Sequence, residues 1–312
     1  MINNYLSSIP ASDLLAQAET LVVMPYRGFC SYRAPGMADA GMGLFNGEDV
    51  NEVWSVGEPV SRGWSNNVHW SQTDNVIFAA HWLTKEDCLQ IEGSVSDAYI
   101  SILSLLKDKG FTYPFRFWNY LPNINIGDGD AEVYKRFCTG RLRAFDSMNI
   151  DESDFPSASA LGHHGQGGVI YVLASNEKPQ HFMNSQQINA YEYPREYGLS
   201  SPSFARATAV NLGGQPLLFI SGTASILGHK TVAAGDLNRQ LEVTADNIEY
   251  LLKNKNPAGV SLATLKVYIR HPEHYELAKQ WLAERYPGIA ILITHADICR
   301  ADLLVEIECF CR

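Results

Sequence analysis

Near its C-terminal end the 312-residue chain reads DICRADLLVEIE (297–308), which sets a thiol, Cys299, seven residues ahead of a carboxyl, Glu306. A second carboxyl, Glu308, follows two residues later. The run LLVEIE has the period of a β-strand: Leu303, Val305 and Ile307 fall on one face, Leu304, Glu306 and Glu308 on the other. Two carboxyls on one face of an apolar strand either meet water, which is the commoner case, or form the floor of a site. On a buried strand, loss of hydration raises a carboxyl's pKa and leaves it protonated near neutral pH. Such a group can act as a general acid, a role typically worth ~10²–10⁴-fold in rate. Glu308, further along the face, reads as structural or solvated.

Two other stretches combine aromatic and cationic side chains. AYEYPREYG (190–198) brings Tyr191, Tyr193 and Tyr197 close to Arg195, and PSFARA (202–207) adds Arg206. Tyrosine and arginine together can wall a pocket and grip carboxylates bidentately; the same residues can equally pack a seam between domains. RFWNY (116–120) and RFCTGRLRAF (136–145) place Arg116, Arg136, Arg141 and Arg143 among apolar and aromatic residues. Any one of these reads most simply as a surface ion pair. As a group, in a protein of net charge −10, they suit an anionic small molecule, with Arg141 and Arg143 the candidates to hold it.

Other patterns exclude chemistries. There is no phosphate-binding P-loop and no G-x-S-x-G elbow, and GMGLFNG (41–47) misses the dinucleotide glycine spacing by one position. His163 and His164 are adjacent in GHHGQGG and point apart on an extended chain, so they make no metal pair. Asp128 and Asp130 in GDGDAE read as a turn and helix cap. The six cysteines (Cys30, Cys88, Cys138, Cys299, Cys309, Cys311) follow neither zinc-ligand nor disulfide spacing, so no metal and no other cofactor is expected.

The elements that must position Glu306 are clearest in the C-terminal half. QPLLFISGTAS (215–225) and TLKVYIR (264–270) read as strands, as do AILIT (290–294) and LLVEIE. Between them, 236–254 carries Leu237, Leu241, Ile248, Leu251 and Leu252 at helical spacing behind an Asp236 cap, and 273–286 is a second helix. The N-terminal half echoes this order: strand 75–83, helix 91–109, strand 113–121, helix 133–145. An internal pseudo-repeat of α+β units follows, each a sheet with helices on one side. The acidic stretch DSMNIDESDFP (146–156) separates them, which puts a break near Asp151: an N-terminal α+β domain over 1–150 and a second over 151–312.

Bulk composition narrows the partners. At 46% hydrophobic and 19% charged residues the chain can bury a large core. Its negative charge argues against nucleic acid or an anionic membrane surface. No apolar run reaches membrane-spanning length, and MINNYLSSIP lacks the basic and apolar pattern of a secretory leader, so a cytoplasmic protein is expected.

These motifs carry a resemblance. SGTASILGH, GDLNRQLEVTADNIEYLL, LKVYIRHPE and LLVEIE are similar to the RidA/YjgF (reactive intermediate deaminase) fold, in which the matching glutamate lines a cleft. The carboxylate-binding arginine of those deaminases has no counterpart in AILITHAD (290–297), which argues against imine deamination. A fuller resemblance runs through FWNYLPNIN, RFCTGR, PSASALG, AYEYPREYG, SPSFARA, SGTAS and DICRADLLVEIE: the chain resembles the chorismatase family, whose second half is RidA-like. The resemblance implies two RidA/YjgF-like (chorismate-mutase-like) units, each a mixed sheet with helices packed on one face. It implies cleavage of chorismate to pyruvate plus a cyclic product, with Glu306 as the catalytic acid/base and Tyr191, Tyr197 and Arg206 at the substrate. Chorismate is a dianion, which fits local arginines in an acidic protein.

The positions matching Cys299 and Ala224 divide the family's subtypes. Cys299 resembles the hydroxybenzoate-forming group, and Ala224 the group that hydrolyses chorismate to a dihydroxycyclohexadienoate. Cys299 is given the greater weight, so the expected product is 3-hydroxybenzoate with some 4-hydroxybenzoate. A RidA-like deaminase and a non-catalytic binder on the same fold are the competing readings. A monomer with pseudo-symmetric halves and a trimer are both compatible with the sequence.

Overall fold

Apolar strands and amphipathic helices alternate along the chain and build two mixed sheets. The computed structural model describes residues 1–26, 33–45 and 47–312; Cys30 and one residue of the 41–47 glycine loop lie outside them. One sheet has seven strands, in the order Asp297–Ile298, Ser157–His163, Tyr113–Pro122, Gly168–Ser175, Val76–Leu83, Val68–Gln72, Ser61–Ser65. The other has six: Gln180–Phe182, Ala207–Leu212, Gln215–Ala224, Val305–Cys311, Leu262–Ile269, Ala290–His295. A smaller sheet of Ile2–Ser7, Val50–Val56 and Thr20–Tyr26 shares the central core between them. Helices Ile91–Asp108 and Val133–Ser147 bury their apolar stripes on the outer face of the seven-stranded sheet. Helices Leu237–Asn254 and Tyr275–Arg285 do the same on the six-stranded sheet. The first of these starts where the Asp236 side chain accepts from the Arg239 backbone N–H at 3.1 Å.

Both large sheets wind alike. Each runs through an antiparallel hairpin, a helix, a central strand, a second helix and a strand parallel to the central one. The last strand then inserts antiparallel between hairpin and central strand: Gly168–Ser175 in the first unit, Val305–Cys311 in the second. This is the pair of α+β units expected from the sequence. The break expected near Asp151 is corrected, because it falls inside the first unit. The acidic stretch 146–156 joins that unit's second helix to its parallel strand Ser157–His163, and the sheet continues to Ser175. Late in the chain, Asp297 and Ile298 return to pair with Gly162 and Leu161 of the seven-stranded sheet. The segment leading to Cys299 and Glu306 is thereby held by both sheets.

Candidate active site

Glu306 sits on Val305–Cys311 between Ala224 and Tyr268 of the flanking strands and is 4% exposed. Burial, and then the negative charge of Glu308, push its pKa up to about 8, against the opposing pull of Arg116, Arg206 and Arg270. It is therefore mostly protonated at neutral pH. Its carboxyl lies against the backbone of Gly222.

Glu308 points to the same side and meets the opposite fate. Its Oε2 accepts from Arg116 Nη2 and from Ser159 Oγ, each at 2.6 Å, and its Oε1 accepts from Trp118 Nε1 at 2.7 Å. Lys266 Nζ lies 3.0 Å from Oε1 and 2.7 Å from Glu52 Oε2, so a chain of alternating buried charges runs from Arg116 to the small N-terminal sheet. Although burial alone would raise it, these cations and donors bring the Glu308 pKa down to about 2. Glu308 is structural and dry rather than solvated. Arg116, which reads from sequence as a surface ion pair, is one of its buried partners at 1% exposure.

Glu306, Gly222, Ala224 and Cys299 border a cavity of about 300 Å³. Arg206 also lines it; Nη2 donates to the Tyr193 hydroxyl at 2.7 Å, the guanidinium packs 4.9 Å from the Phe204 ring centre, and Nε has no protein acceptor. Arg300 supplies a second guanidinium, 4.0 Å from the Tyr197 ring centre, with Nη1 donating to the His229 carbonyl at 2.8 Å. The Cys299 thiol is pushed up to about 12 by burial and then by Glu306, so it is a neutral group. Arg270 fixes the loop that carries Cys299 and Arg300. It donates to the carbonyls of Leu303, Ile298 and Arg300 and to Asp297 Oδ1, at 2.7–3.0 Å. Among the described residues no group of three or more His, Cys, Asp or Glu side chains is arranged to hold a metal, and no helix is long and apolar enough to cross a membrane.

Of the residues singled out in the sequence, Glu306, Cys299, Ala224, Tyr197 and Arg206 meet at this cavity. Three do not line it. Tyr191 turns away to pack edge-on against Phe155, and Tyr193 takes the inward place. Arg143 is on the surface, paired with Glu92. Arg141 is buried on the helix that also carries the cavity residue Tyr134; its guanidinium lies 4.8 Å from the Phe137 ring centre, and its Nε and Nη2 lack a protein acceptor.

Comparison with known proteins bears on this arrangement. Residues 52–174 match the family model described as chorismatase FkbO/Hyg5-like, N-terminal. A 3-hydroxybenzoate synthase of Streptomyces hygroscopicus is 34% identical over 279 residues, which is 84% of this chain and 81% of that protein. A chorismatase of the same organism is 35% identical over 274 residues, 84% of this chain and 79% of the relative. The chain belongs to the chorismatase family. A chorismatase crystal structure superposes with a TM-score of 0.90 at 31% identity, covering 100% of this chain and 98% of that one. The family's N-terminal match stops at residue 174, within the last strand of the seven-stranded sheet, so its extent follows the topology rather than the acidic stretch at Asp151.

Arg300, Gly222, Tyr134, Ser159 and Arg270 are cavity or supporting residues of this chorismatase-family chain that the sequence reading did not single out, whereas Tyr193 was named with its neighbours but not placed at the substrate. For Tyr193 the signal was present but ambiguous. Two one-turn 3₁₀ helices, Ala190–Glu192 and Arg195–Tyr197, flank it and decide which tyrosines face inward. Arg300 adjoins Cys299, and its stacking on Tyr197 joins residues about a hundred positions apart.

Proposed function

We propose that the chain cleaves chorismate to pyruvate and hydroxybenzoate, mainly the 3-isomer, with Glu306 as the proton donor. The observation that carries this reading is a carboxyl held protonated near neutral pH beside a cavity with two arginines. Arg206 and Arg300 suit the two carboxylates of the substrate, and their aromatic neighbours suit its ring. Glu306 delivers its proton to the terminal methylene carbon of the enolpyruvyl ether, and the ether oxygen stabilises the cation that forms. The bond between ring carbon and ether oxygen then breaks, and that oxygen leaves as the carbonyl of pyruvate. The hydroxyl oxygen on the neighbouring ring carbon closes onto the carbon that loses the ether and gives up its proton. Its original C–O bond then breaks, leaving it on the 3-carbon, whereas breaking the new bond instead leads to the 4-isomer. Loss of the ring C–H proton aromatises the ring. Of the two protons released, one goes to the phenolate oxygen and one returns to the Glu306 carboxylate. All atoms of chorismate are recovered in the two products and no water is consumed. The hydrolytic alternative needs one water and gives the diene-diol; Ala224 in the same cavity is the residue that favours it.

Incubation with chorismate, with pyruvate assayed and the ring product separated by chromatography, tests the proposal. Pyruvate with hydroxybenzoate is the expected outcome. The diene-diol would mean the hydrolytic route, and absence of pyruvate would reject the reading altogether. Because the acid must be protonated, kcat/KM is expected to be level below about pH 8 and to fall above it.

A further inference from the structure

Strand Gln215–Ala224 does not pair evenly with the strand that carries Glu306. Ile220 faces Cys309 and Thr223 faces Ile307, so three steps on one strand match two on the other, and the extra residue falls at Ser221–Gly222. Such a bulge bends its strand and turns backbone groups out of the ladder. Here the Gly222 N–H is turned to Ser159 Oγ of the seven-stranded sheet, at 3.0 Å. That hydroxyl also accepts from Arg116 and donates to Glu308, so all its hydrogen-bonding capacity is used. On the other side of the bulge, Ser221 N–H donates to the Arg206 carbonyl at 3.0 Å, and Ser221 Oγ donates to the Ala205 carbonyl at 2.6 Å. Ser221 Oγ in turn accepts from Ala158 N–H at 2.9 Å. Two residues thus tie together the seat of Glu306, the backbone of Arg206, the anchor of Glu308 and the facing sheet.

The glycine is decisive. A Cβ at position 222 would stand 1.9 Å from Glu306 Oε1 and 2.8 Å from its Cδ, where no real atom could remain. The Glu306 carboxyl occupies the space that every other residue type would fill. Gly222 does not have the left-handed backbone that excludes L-residues, so its requirement is one of space alone.

We propose that the Ser221–Gly222 bulge, clasped by Ser159, is the positioning element for Glu306, and that residue 222 must be glycine so that the acid can lie flat against the strand. The proposal rests on Glu306 being the proton donor. Gly222→Ala forces the Glu306 carboxyl aside and crowds Ser159 Oγ, which would lie 3.0 Å from the added Cβ. Both are side-chain ends that the fold can absorb, but the proton donor is displaced from the substrate. A displacement of about 1 Å can cost about 10²-fold in rate.

The test is a double-mutant cycle between Gly222→Ala and Glu306→Gln, with kcat, KM and melting temperature measured for each protein. The expected result is about a 10²-fold loss of kcat in Gly222→Ala, with KM within about threefold and a near-wild-type melting temperature. Added to Glu306→Gln, the alanine should cost little more, because the group it displaces has already been disabled. The limb of the pH–kcat profile assigned to Glu306 should also move in Gly222→Ala. Full activity in Gly222→Ala alongside an inactive Glu306→Gln overturns the positioning role and leaves the acid assignment standing. Equal losses from the alanine in both backgrounds also overturn it, since the defect would then be independent of Glu306. An active Glu306→Gln rejects the acid itself and, with it, this inference. If Gly222→Ala does not fold, Ser159→Ala decides: an about tenfold drop in kcat at constant KM supports the clasp, and unchanged kcat removes it.

Discussion

Glu306 and Glu308 differ by two residues, share one strand face and are both almost fully buried, yet the pKa of one is pushed up to about 8 and that of the other is drawn down to about 2. The strand itself treats them alike; the difference comes from what the facing sheet presents. Opposite Glu308 stand Arg116, Trp118 and Ser159, with Lys266 beside it, and each favours the ionised form. Opposite Glu306 lies a cavity, and the charge that acts on it most strongly is the Glu308 carboxylate itself. A pair of titratable groups driven apart in this way is how a fold obtains an acid that keeps its proton at neutral pH. Glu308 is thus the charge that helps Glu306 stay neutral.

The comparison breaks most visibly at Glu306. Glu306→Gln keeps the shape and hydrogen-bonding edge of the side chain but cannot deliver a proton, so kcat for pyruvate release should fall by ~10²–10⁴-fold while chorismate still binds. The wild type should lose stability as pH rises from the ordinary glutamate range through about 8, because only the folded protein resists ionising Glu306. The glutamine variant should lack that dependence in urea melts, and identical pH profiles for the two proteins would count against the raised pKa.

Glu308→Gln attacks the other member. It leaves Arg116 and Lys266 buried with part of their counter-charge gone, a change that typically costs about 3–5 kcal/mol, to be read from the urea midpoint at neutral pH. The stabilisation from Glu308 is present above its ordinary range and is lost as pH falls through about 2. A variant as stable as the wild type would show that the buried charges are not holding this carboxylate.

Smaller effects sharpen the boundary between the two sites. Arg206→Lys keeps the charge but loses the planar fork and its bond to Tyr193; KM for chorismate should rise about tenfold, or about 1.4 kcal/mol. Cys299→Ala removes a neutral thiol beside Glu306 and should shift product toward the diene-diol with little change in stability. An unshifted product ratio would leave the thiol as packing.

The sequence made the second unit legible because its strands and helices carry strong periodicity, and Glu306 stood out as a carboxyl on an apolar strand. The end of the first unit was not legible. Its last strand inserts into the middle of its sheet, so the acidic connection before Ser157–His163 looked like a domain linker. Arg141 and Arg143 were drawn toward the substrate by composition, whereas helix phase buries one against Phe137 and leaves the other on the surface with Glu92. The choice between Tyr191 and Tyr193 depended on two single-turn helices with no periodic signal. The different fates of Glu306 and Glu308 depend on Arg116, Trp118 and Ser159, contacts separated by about 150–190 residues that no local pattern encodes.

The central claim is that Glu306 holds its proton at neutral pH while Glu308 does not. Carboxyl-¹³C glutamate labelling followed by NMR across pH tests it directly, with the two resonances assigned by their loss in Glu306→Gln and Glu308→Gln. The account predicts that Glu306 titrates near pH 8 and that Glu308 stays ionised down to the acid limit of the folded protein. A Glu306 resonance that titrates in the ordinary glutamate range, near pH ~4.3, would contradict it.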